Sequence, residues 1–341
     1  MRPNERNLPL PKVSIILPTY NGSKIILETV KSLLDQDFSD WEVVASDDCS
    51  TDDTYSVLQS VGDDRIRCFQ QDHNLGYPGN LSSAVSLARG EIVFLLGQDD
   101  LLLPGSLRRT IEAFDLGENI GAVTRPYYWF CDDSAVAVRV VRPYRTYDAV
   151  FSLSDGPEAV RAVFSSLGQL SGLAIRKSLI RVDFHEHVFT SHVYPVADVL
   201  ARSRGVFLCR PTVAVRIESS QTRFQTQIYD PPPLQTWIQM AKTIYRDSEY
   251  ESIRIDLLTF LGESNFVDLV QIRNYSTWSI FFREIGTFVK LRPRNLVDFR
   301  FLAVVFISLV TPRSVLRKLV DIYKKHILSR ILYLKRFDTY F

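Results

Sequence analysis

Over the first hundred residues, short apolar runs alternate with segments whose apolar residues recur every three or four positions. The short runs predict β-strands over 13–17, 42–46, 65–70 and 91–96, and the longer segments predict helices over 26–36, 51–61 and 79–88. Such alternation is typical of βαβ units, so we expect a mostly parallel sheet with right-handed crossovers. Ser50 or Thr51 should cap the second helix, and Gly90 should end the third.

Beyond residue 100 the alternation becomes less regular. Four further segments are predicted: strands over 136–142 and 212–217, a strand followed by a short helix over 171–180, and a helix over 196–205 that ends at Gly205. The stretch YDPPPL at 229–234 interrupts regular structure, and long helical patterns follow it. We therefore predict one domain over 12–228 and a mainly helical region over 234–341.

A polar cluster follows each of the first four predicted strands. These clusters are PTYN at 18–21, DDCS at 47–50, DHNLG at 72–76 and GQDD at 97–100. In a parallel sheet the carboxyl ends of the strands lie at one edge, where ligands bind. The adjacent acids Asp99 and Asp100 repel each other, and burying such a pair costs several kcal/mol unless a positive group lies beside it. The pattern predicts a polar site in which this pair is either fully solvated or accompanied by a cation.

The distribution of charge along the chain is uneven, although the net charge is only +1. Residues 283–341 carry 13 Lys and Arg against 4 Asp and Glu, a balance of +9, which leaves −8 for the preceding residues. A basic C-terminal tail favours an anionic partner such as lipid or nucleic acid. The apolar run at 301–310 is shorter than the roughly 20 residues that span a bilayer.

Composition excludes several classes of protein. Apolar residues make up 46% and charged residues 23%, which indicates a folded globular chain. The cysteines are few and form no CxxC pair, which argues against a zinc site or a disulfide framework; they are Cys49, Cys68, Cys131 and Cys209. The N-terminus has no apolar stretch typical of a signal peptide, so we expect a reducing cytosol. No GxGxxG motif follows a predicted strand, which argues against a Rossmann dehydrogenase. The sequence also has no GxxxxGK[ST] motif, which argues against a P-loop kinase.

Taken in order, the predicted strands and the polar clusters that follow them, from PTYN to GQDD, closely resemble family 2 glycosyltransferases. The resemblance covers about 12–217 and is strongest over 12–108. It implies an α/β fold of the GT-A (Rossmann-like) type, a mostly parallel sheet flanked by helices, here with a mainly helical C-terminal extension. It also implies that a nucleotide-diphosphate sugar lies across the strand ends, with a divalent metal on its diphosphate.

The resemblance assigns roles to particular residues at the strand ends. The nucleotide-sugar-binding residues would be Pro18, Thr19, Tyr20, Asn21, Asp47, Asp48, Asn74, Gly76, Gln98 and Asp99. Asp99 and Asp100 match the metal-binding acids, with Mn²⁺ or Mg²⁺ as the cofactor. Helix capping is the alternative role for one acid of the Asp47–Asp48 pair. The chain departs from the family at Gly97, where an acid is usual, and at Leu81-Ser82, where Arg-Asn is usual.

An inverting transferase needs a general base for the acceptor hydroxyl. Family members often carry Glu-Asp at the start of a helix, and the matching residues here are Ala197 and Asp198, so Asp198 is the base candidate. Its alternative role is that of an acid favourable to the helix dipole. The segment 216–222 resembles a loop that folds over the diphosphate, with Glu218 where a His is common.

Three histidines, His185, His187 and His192, precede this helix closely. Surface-loop positions are favoured for them over a metal site, because their spacing is unconvincing for metal ligands. They could instead line the acceptor pocket.

The predicted function is metal-dependent, inverting transfer of a sugar to a hydroxyl acceptor, by analogy in the assembly of bacterial surface polysaccharide. The alternatives are a non-catalytic module that binds a nucleotide sugar or glycan, and a nucleotidyltransferase that releases pyrophosphate. We expect a glycan or lipid-linked glycan acceptor and no nucleic-acid partner.

We predict a cytoplasmic protein, peripheral on the inner face of the cell membrane. The tail from about residue 283 should dock on anionic lipid, and the segment after Pro312 should form an in-plane amphipathic helix. The alternative is that these helices pack on the catalytic domain or on a second subunit.

Overall fold

The computed structural model describes residues 10–141, 143–217 and 226–322, the side chains of Asn265 and Asp321 excepted. Its strands are β1 Val13–Thr19, β2 Trp41–Asp47, β3 Ile66–Gln70, β4 Ile92–Leu95, β5 Leu101–Leu102, β6 Ile120–Thr124, β7 Tyr128–Phe130, β8 Arg139–Val140, β9 Ala149–Phe151, β10 Ala174–Arg176, β11 Arg204–Phe207 and β12 Val213–Arg216. Its α-helices are α1 Ile26–Leu34, α2 Thr54–Gln59, α3 Gly76–Leu87, α4 Ser106–Phe114, α5 Pro157–Ser166, α6 Val193–Arg202, α7 Pro233–Ile244, α8 Glu251–Ser264, α9 Asp268–Tyr275, α10 Trp278–Leu291, α11 Phe299–Val310 and α12 Arg313–Ile322.

The central sheet has the strand order β3-β2-β1-β4-β10-β6-β11-β9. The first four strands pair in parallel, as the sequence predicts, so their carboxyl ends lie at one edge. Strand β10 is antiparallel to both of its neighbours, β4 and β6. A second sheet has the strand order β5-β12-β7-β8. Its strand β5 follows β4 along the chain and pairs with β12.

Helices cover the central sheet on both faces, which explains why its first strands are continuous apolar runs. Along β1, Ile15 and Leu17 point to one face and join a core with α1, while Ile16 points to the other and packs with Leu81 of α3. Every residue of β1 and β2 is buried. Since both faces are packed, the strand ends are fixed rigidly.

Two helix boundaries differ from the sequence prediction near the site. Helix α2 begins at Thr54 and not at residue 51, and neither Ser50 nor Thr51 caps it. Ser50 instead donates its hydroxyl to Asp47. Helix α3 ends at Leu87, before Gly90. Gly90 serves close approach, because a Cβ there would lie 2.6 Å from the backbone nitrogen of Ser14.

Further along the chain, the strand predicted over 136–142 is reduced to Arg139–Val140. The helix predicted over 196–205 begins earlier, at Val193, and ends at Arg202. Gly205 lies inside β11, where a Cβ would meet the Phe151 ring at 2.4 Å. The sequence pattern placed both ends of this helix about three residues too late.

The C-terminal helices pack against the first part of the chain. Helix α8 contacts α5, α7 contacts α6, and one apolar core includes Val163 of α5 together with Leu257 and Phe288. Regular structure breaks at 230–232, as predicted, although the core continues across this break. No helix among the described residues combines the length and apolarity needed to cross a membrane. The predicted diphosphate loop at 218–222 and the tail after Ile322 lie outside the described residues.

Candidate active site

The first three strand ends come together in register. Thr19 at the end of β1 lies beside Asp47 at the end of β2, and Asp47 lies beside Gln70 at the end of β3. Pro18 is buried one position earlier, opposite Ser46. The polar clusters that follow these strands therefore share one edge of the sheet, as the sequence predicts.

Asp47 is completely buried and organises the end of β1 and the turn after β2. Its carboxylate accepts hydrogen bonds from the Thr19 hydroxyl at 3.2 Å, from the Ser50 backbone N–H at 3.0 Å and from the Gln70 side-chain amide at 3.3 Å. A carboxylate offers about four acceptor positions, and donors within the protein use most of those on Asp47. Asp47 does more than cap a helix, because it ties three strand ends together.

Asp48 connects the end of β2 to the start of α3. Its Oδ1 atom accepts from the Leu75 backbone N–H at 2.6 Å, and its carbonyl accepts from the Asn74 side chain at 3.2 Å. Gly76 has φ +73°, a left-handed conformation that favours glycine. Burial raises the pKa of the Asp48 carboxyl, although the backbone N–H groups around it act in the opposite direction. Asp47 therefore holds the ends of the first three strands together, whereas Asp48 holds the start of α3.

Gln98 holds the loop that follows β1. Its side chain accepts from the Tyr20 backbone N–H at 2.9 Å and donates to the Tyr20 carbonyl at 3.0 Å. Gly22 fits closely under this amide, since a Cβ there would lie 2.5 Å from Gln98 Oε1. Asn21, at φ 49°, accepts from the Thr51 backbone N–H at 2.9 Å. The loops after β1, β2 and β4 are consequently locked to one another.

Asp100 is 1% exposed and its carboxylate is occupied by donors from distant parts of the chain. Oδ1 accepts from the Arg216 backbone N–H at 3.0 Å, and Oδ2 accepts from the Gln169 amide at 2.9 Å and from the Ser171 hydroxyl. Burial, followed by the neighbouring Asp99 carboxylate, raises the pKa of Asp100. Asp100 therefore fixes β12 and the segment before β10 to the end of β4.

Asp99 is partly exposed, unlike its neighbour. Its carbonyl accepts from the Arg216 guanidinium at 3.2 Å, and the same guanidinium pairs with Glu28. The Arg216 guanidinium therefore contacts the main chain of Asp99 and forms its ion pair with a third acid, Glu28. Sequence reasoning missed this contact, because Arg216 lies more than a hundred residues away.

The residues around Gly97 fit a hard divalent cation. A Cβ at Gly97 would lie 3.2 Å from Asp99 Oδ1 and 3.1 Å from Asp100 Oδ2, so both carboxylates border the same small space. Carboxylate oxygens are the ligands that Mn²⁺ and Mg²⁺ prefer. Asp99 is the more accessible of the two acids to such an ion, because it is partly exposed whereas Asp100 is buried.

Asp198 lies in the second turn of α6, since the helix begins at Val193 rather than at 196. Its carboxylate forms an ion pair with Arg202 of the same helix, and it lies within electrostatic range of Tyr245 at the end of α7. In the described part of the chain, no hydrogen bond or ion pair joins Asp198 to the strand ends. Its placement in the first turn of a helix was wrong, and its role as a base stays a prediction.

His192 directly precedes the first residue of α6. The sequence favoured a surface-loop position for it. It is 5% exposed; its Nε2 lies 2.9 Å from the Leu167 carbonyl and its Nδ1 lies 3.4 Å from the Tyr77 hydroxyl. Burial lowers the pKa of His192 to about 4, so the neutral ring donates to the carbonyl and accepts from Tyr77. Tyr77 also lies within electrostatic range of Asp100. His192 therefore contacts a tyrosine of α3, the helix whose start Asp48 holds.

The other two loop histidines lie close together, with ring centroids 4.8 Å apart. Together with Glu186, His185 and His187 bring their possible ligand atoms within 4.8 Å of one another. His185 stacks on Tyr194 with a centroid distance of 4.2 Å, which explains its partial burial. Both residues fall in a loop, as the sequence predicts.

Comparison with known proteins agrees with this arrangement. Residues 14–153 match the family model of glycosyl transferase family 2. A Campylobacter jejuni protein, GalNAc(5)-diNAcBac-PP-undecaprenol beta-1,3-glucosyltransferase, is 40% identical over 111 residues, which are 32% of this chain and 36% of the relative. The match thus spans about a third of that relative's length.

Solved structures extend the likeness to the fold of nearly the whole chain. TarS 1-349 from S. aureus in complex with UDP has a TM-score of 0.60 at 20% identity, covering 95% of this chain and 92% of that one. The mannosyltransferase PcManGT from Pyrobaculum calidifontis, in complex with GDP-Man and Mn²⁺, has a TM-score of 0.53 at 17% identity and covers 88% of this chain and 87% of that one. The fold is GT-A, with a helical C-terminal region, as the sequence resemblance implies.

Proposed function

We propose that this protein is an inverting glycosyltransferase that moves a sugar from a nucleotide-diphosphate sugar to a hydroxyl acceptor. The observation that carries the proposal is the convergence of Asp47, Asp48 and Asp99 at the carboxyl ends of adjacent parallel strands. Ligands of such sheets bind at this edge. The relationship to glycosyl transferase family 2 and the likeness to structures holding UDP or GDP-Man support the same reaction class.

The nucleoside would lie over the loops that Asp47 and Asp48 organise. Their hydrogen bonds to Ser50 and Leu75 hold backbone and side-chain groups of 18–21 and 74–76 in place before the donor arrives. A preformed site loses less conformational freedom on binding. Pro18, Thr19 and Asn21 therefore act mainly as a rigid frame for the donor.

The diphosphate would lie near Asp99. A divalent ion held there would neutralise negative charge on the departing nucleoside diphosphate. Asp99 would contribute the more accessible carboxylate, while Asp100 keeps the loop in position through Ser171 and Gln169. We propose Mn²⁺ or Mg²⁺ as the ion.

For proton removal from the acceptor hydroxyl, we retain Asp198 as the candidate base. Its position in the sequence matches the acid of the family motif, and a carboxylate can take this proton. Its ion pair with Arg202 opposes the assignment, because the guanidinium already occupies the carboxylate that would take the proton. Arg202→Gln and Asp198→Asn therefore form an informative pair, considered in the Discussion.

The acceptor would be a glycan, carried on a lipid diphosphate as the name of the C. jejuni relative describes for that protein. We propose that the chain works at the inner face of a cell membrane and is held there by its basic C-terminal region. The balance of +9 over 283–341 against −8 for the rest of the chain supports this orientation.

The test is release of nucleoside diphosphate from a panel of nucleotide sugars, with Mn²⁺ or with a chelator. We expect release with at least one donor, loss of release in chelator, and loss in Asp99→Ala. The matched control is Glu118→Ala, an exposed acid in the loop before β6, at the opposite edge of the sheet. UDP binding without release across a donor and acceptor panel would favour a non-catalytic binding module. Pyrophosphate release would favour a nucleotidyltransferase.

A further inference from the structure

Helix α11 is apolar on nearly every side and yet lies at the protein surface. Only Phe301 and Ser308 of its twelve residues are buried, and Phe301 packs against Phe266 and Phe288 at centroid distances of 6.0 and 5.9 Å. The exposed apolar residues of the helix are Phe299, Leu302, Phe306, Ile307, Leu309 and Val310. Exposed apolar patches of this kind mark interaction sites in soluble proteins.

The turn that precedes α11 projects further apolar side chains. Val297 is 80% exposed and Phe299 is 78% exposed, and Leu296 beside them is 59% exposed. A helix of twelve residues is about 18 Å long. This is too short to cross a hydrocarbon core of about 30 Å. The turn and α11 could therefore lie only in the plane of a membrane surface.

Three arginines surround this turn and form a groove of about 590 Å³ with Val297 and Phe299. Arg292 and Arg300 both donate to Asp298, at 3.2 Å each, and Arg294 is exposed. Arg292 also lies 3.9 Å from Glu263, which itself pairs with Arg161 at 3.0 Å. Asp298 and this shared Glu263 do not balance three guanidinium groups, so the groove keeps a positive charge. Guanidinium groups bind phosphate oxygens through paired hydrogen bonds.

We propose that the turn 292–300 and α11 form a lipid-contact surface that binds an anionic phospholipid bilayer. Val297 and Phe299 enter the interface, and the groove of Arg292, Arg294 and Arg300 binds a lipid phosphate. This inference rests on the proposed work at a membrane and names the contact surface.

Charge complementarity favours a bilayer over a second copy of the chain. The surface belongs to the segment that carries +9, and two copies would bring like charges together. The chain continues for 19 residues after Ile322, and these add five Lys and Arg against one Asp. The remainder of the chain carries −8 and is repelled by the same anionic lipid, so the protein is oriented with α11 towards the bilayer.

The test is flotation of the full-length chain with vesicles of phosphatidylcholine containing about a third phosphatidylglycerol, and with phosphatidylcholine alone. We expect binding to the anionic vesicles only. The double variant Val297→Glu/Phe299→Glu should weaken that binding at least tenfold. Its control is Leu116→Glu/Tyr147→Glu, which places the same charges at residues that are 62% and 64% exposed elsewhere. All four side chains are exposed, so folding should be preserved.

A second pair of variants tests the arginine groove. Arg294→Gln/Arg300→Gln should weaken binding to anionic vesicles by about tenfold or more, since each basic residue near such a surface contributes roughly fivefold. Lys242→Gln/Arg246→Gln, an equal change of charge at exposed positions of the α7 end, should have a smaller effect. Equal effects of the two pairs would leave only nonspecific attraction and overturn the groove as a site.

The failures of the two proposals can be told apart. If the wild type floats and the Val297/Phe299 variant floats equally well, the contact surface is wrong, while membrane docking by another part of the tail stands. Absence of flotation by the wild type overturns both the surface and the membrane location. A dimer in light scattering that the same variant dissociates, without lipid binding, would assign the surface to a second copy. Nucleoside diphosphate release should remain unchanged in every variant, because none lies at the strand ends.

Discussion

The Oδ1 atom of Asp100 accepts a hydrogen bond of 3.0 Å from the backbone N–H of Arg216, and this bond joins the loop after β4 to the end of β12. The guanidinium of the same arginine donates to the carbonyl of Asp99 at 3.2 Å. The two adjacent acids thus contact one arginine in different ways. Asp100 is buried and fastens the loop, while Asp99 stands at the accessible side.

This division predicts opposite effects for the two acids on stability and activity. Asp100→Ala removes the acceptor of one buried donor, the Ser171 hydroxyl, and of two partly buried donors from Gln169 and Arg216. Each buried donor left unsatisfied costs about 1–3 kcal/mol. Relief of the repulsion from Asp99 offsets part of this loss, so we expect the free energy of unfolding to fall by about 2 kcal/mol. Asp99→Ala should cost less than half as much and should abolish metal-dependent release. Urea denaturation of both variants measures the difference, and equal losses would contradict it.

The sequence predicted well which residues lie at the carboxyl edge of the sheet, because the pattern that marks a strand end involves only neighbouring residues. An apolar run followed at once by a polar cluster marks a strand that ends at a rim, and this held for β1, β2, β3 and β4. The same pattern placed Asp47, Asp48 and Asp99 on that rim, whereas the binding roles that the resemblance gives them stay predictions. Packing on both faces of the sheet leaves little freedom in where such strands end.

The residues that support Asp100 had no local signal. Gln169, Ser171 and Arg216 come from segments 69 to 116 positions away and meet only through the sheet topology. The start of α6 was missed for a different reason. Pro195 lies in the first turn of the helix, where a missing N–H costs little, although the sequence pattern suggested that the helix begins after it.

Asp47 should support donor binding by keeping the loops at the strand ends in order. Asp47→Asn turns one acceptor oxygen into a donor, which then faces either the Thr19 and Ser50 hydroxyls or the Ser50 N–H and the Gln70 amide. The resulting loss of loop order should weaken UDP binding about tenfold or more, with a lower melting temperature. Ser50→Ala keeps the backbone N–H bond and removes only the hydroxyl, which donates to Asp47 and accepts from the Asn21 N–H. It should have a smaller effect in the same direction. Calorimetric titration with UDP measures both, and unchanged affinity in Asp47→Asn would exclude this framing role.

Asp198→Asn tests the general base. As a base, it should lose about 10²–10⁴-fold in turnover with donor binding unchanged. Arg202→Gln removes the same ion pair but keeps the carboxylate, so its turnover should stay within about tenfold of the wild type. If both variants show the same small loss of activity, Asp198 only pairs with Arg202, and the search for a base moves to the neighbourhood of His192.

The burial of Glu284 on α10, away from the strand ends, predicts that the free energy of unfolding depends on pH. Glu284 is 1% exposed on α10, where Oε1 accepts from the Leu234 backbone N–H at 2.8 Å at the start of α7. Burial raises the pKa of Glu284 to about 8. The folded chain therefore keeps this proton between about pH 4.5 and 8, whereas the unfolded chain releases it. The resulting stability is fully present below about pH 4.5 and is lost as the pH rises towards 8, with a slope of at most about 1.4 kcal/mol per pH unit.

Glu284→Gln should remove this dependence, because the amide cannot ionise. At pH 5 the variant and the wild type should have similar free energies of unfolding, and at pH 8.5 the variant should be the more stable. The comparison between the two proteins cancels the contributions of other groups, such as His192, whose lowered pKa acts with the opposite sign. Glu112→Gln, an exposed acid on α4, is the matched control and should show no difference that varies with pH. Denaturant unfolding at four or five pH values decides the point, and parallel curves for wild type and Glu284→Gln would show that Glu284 stays ionised in the folded protein.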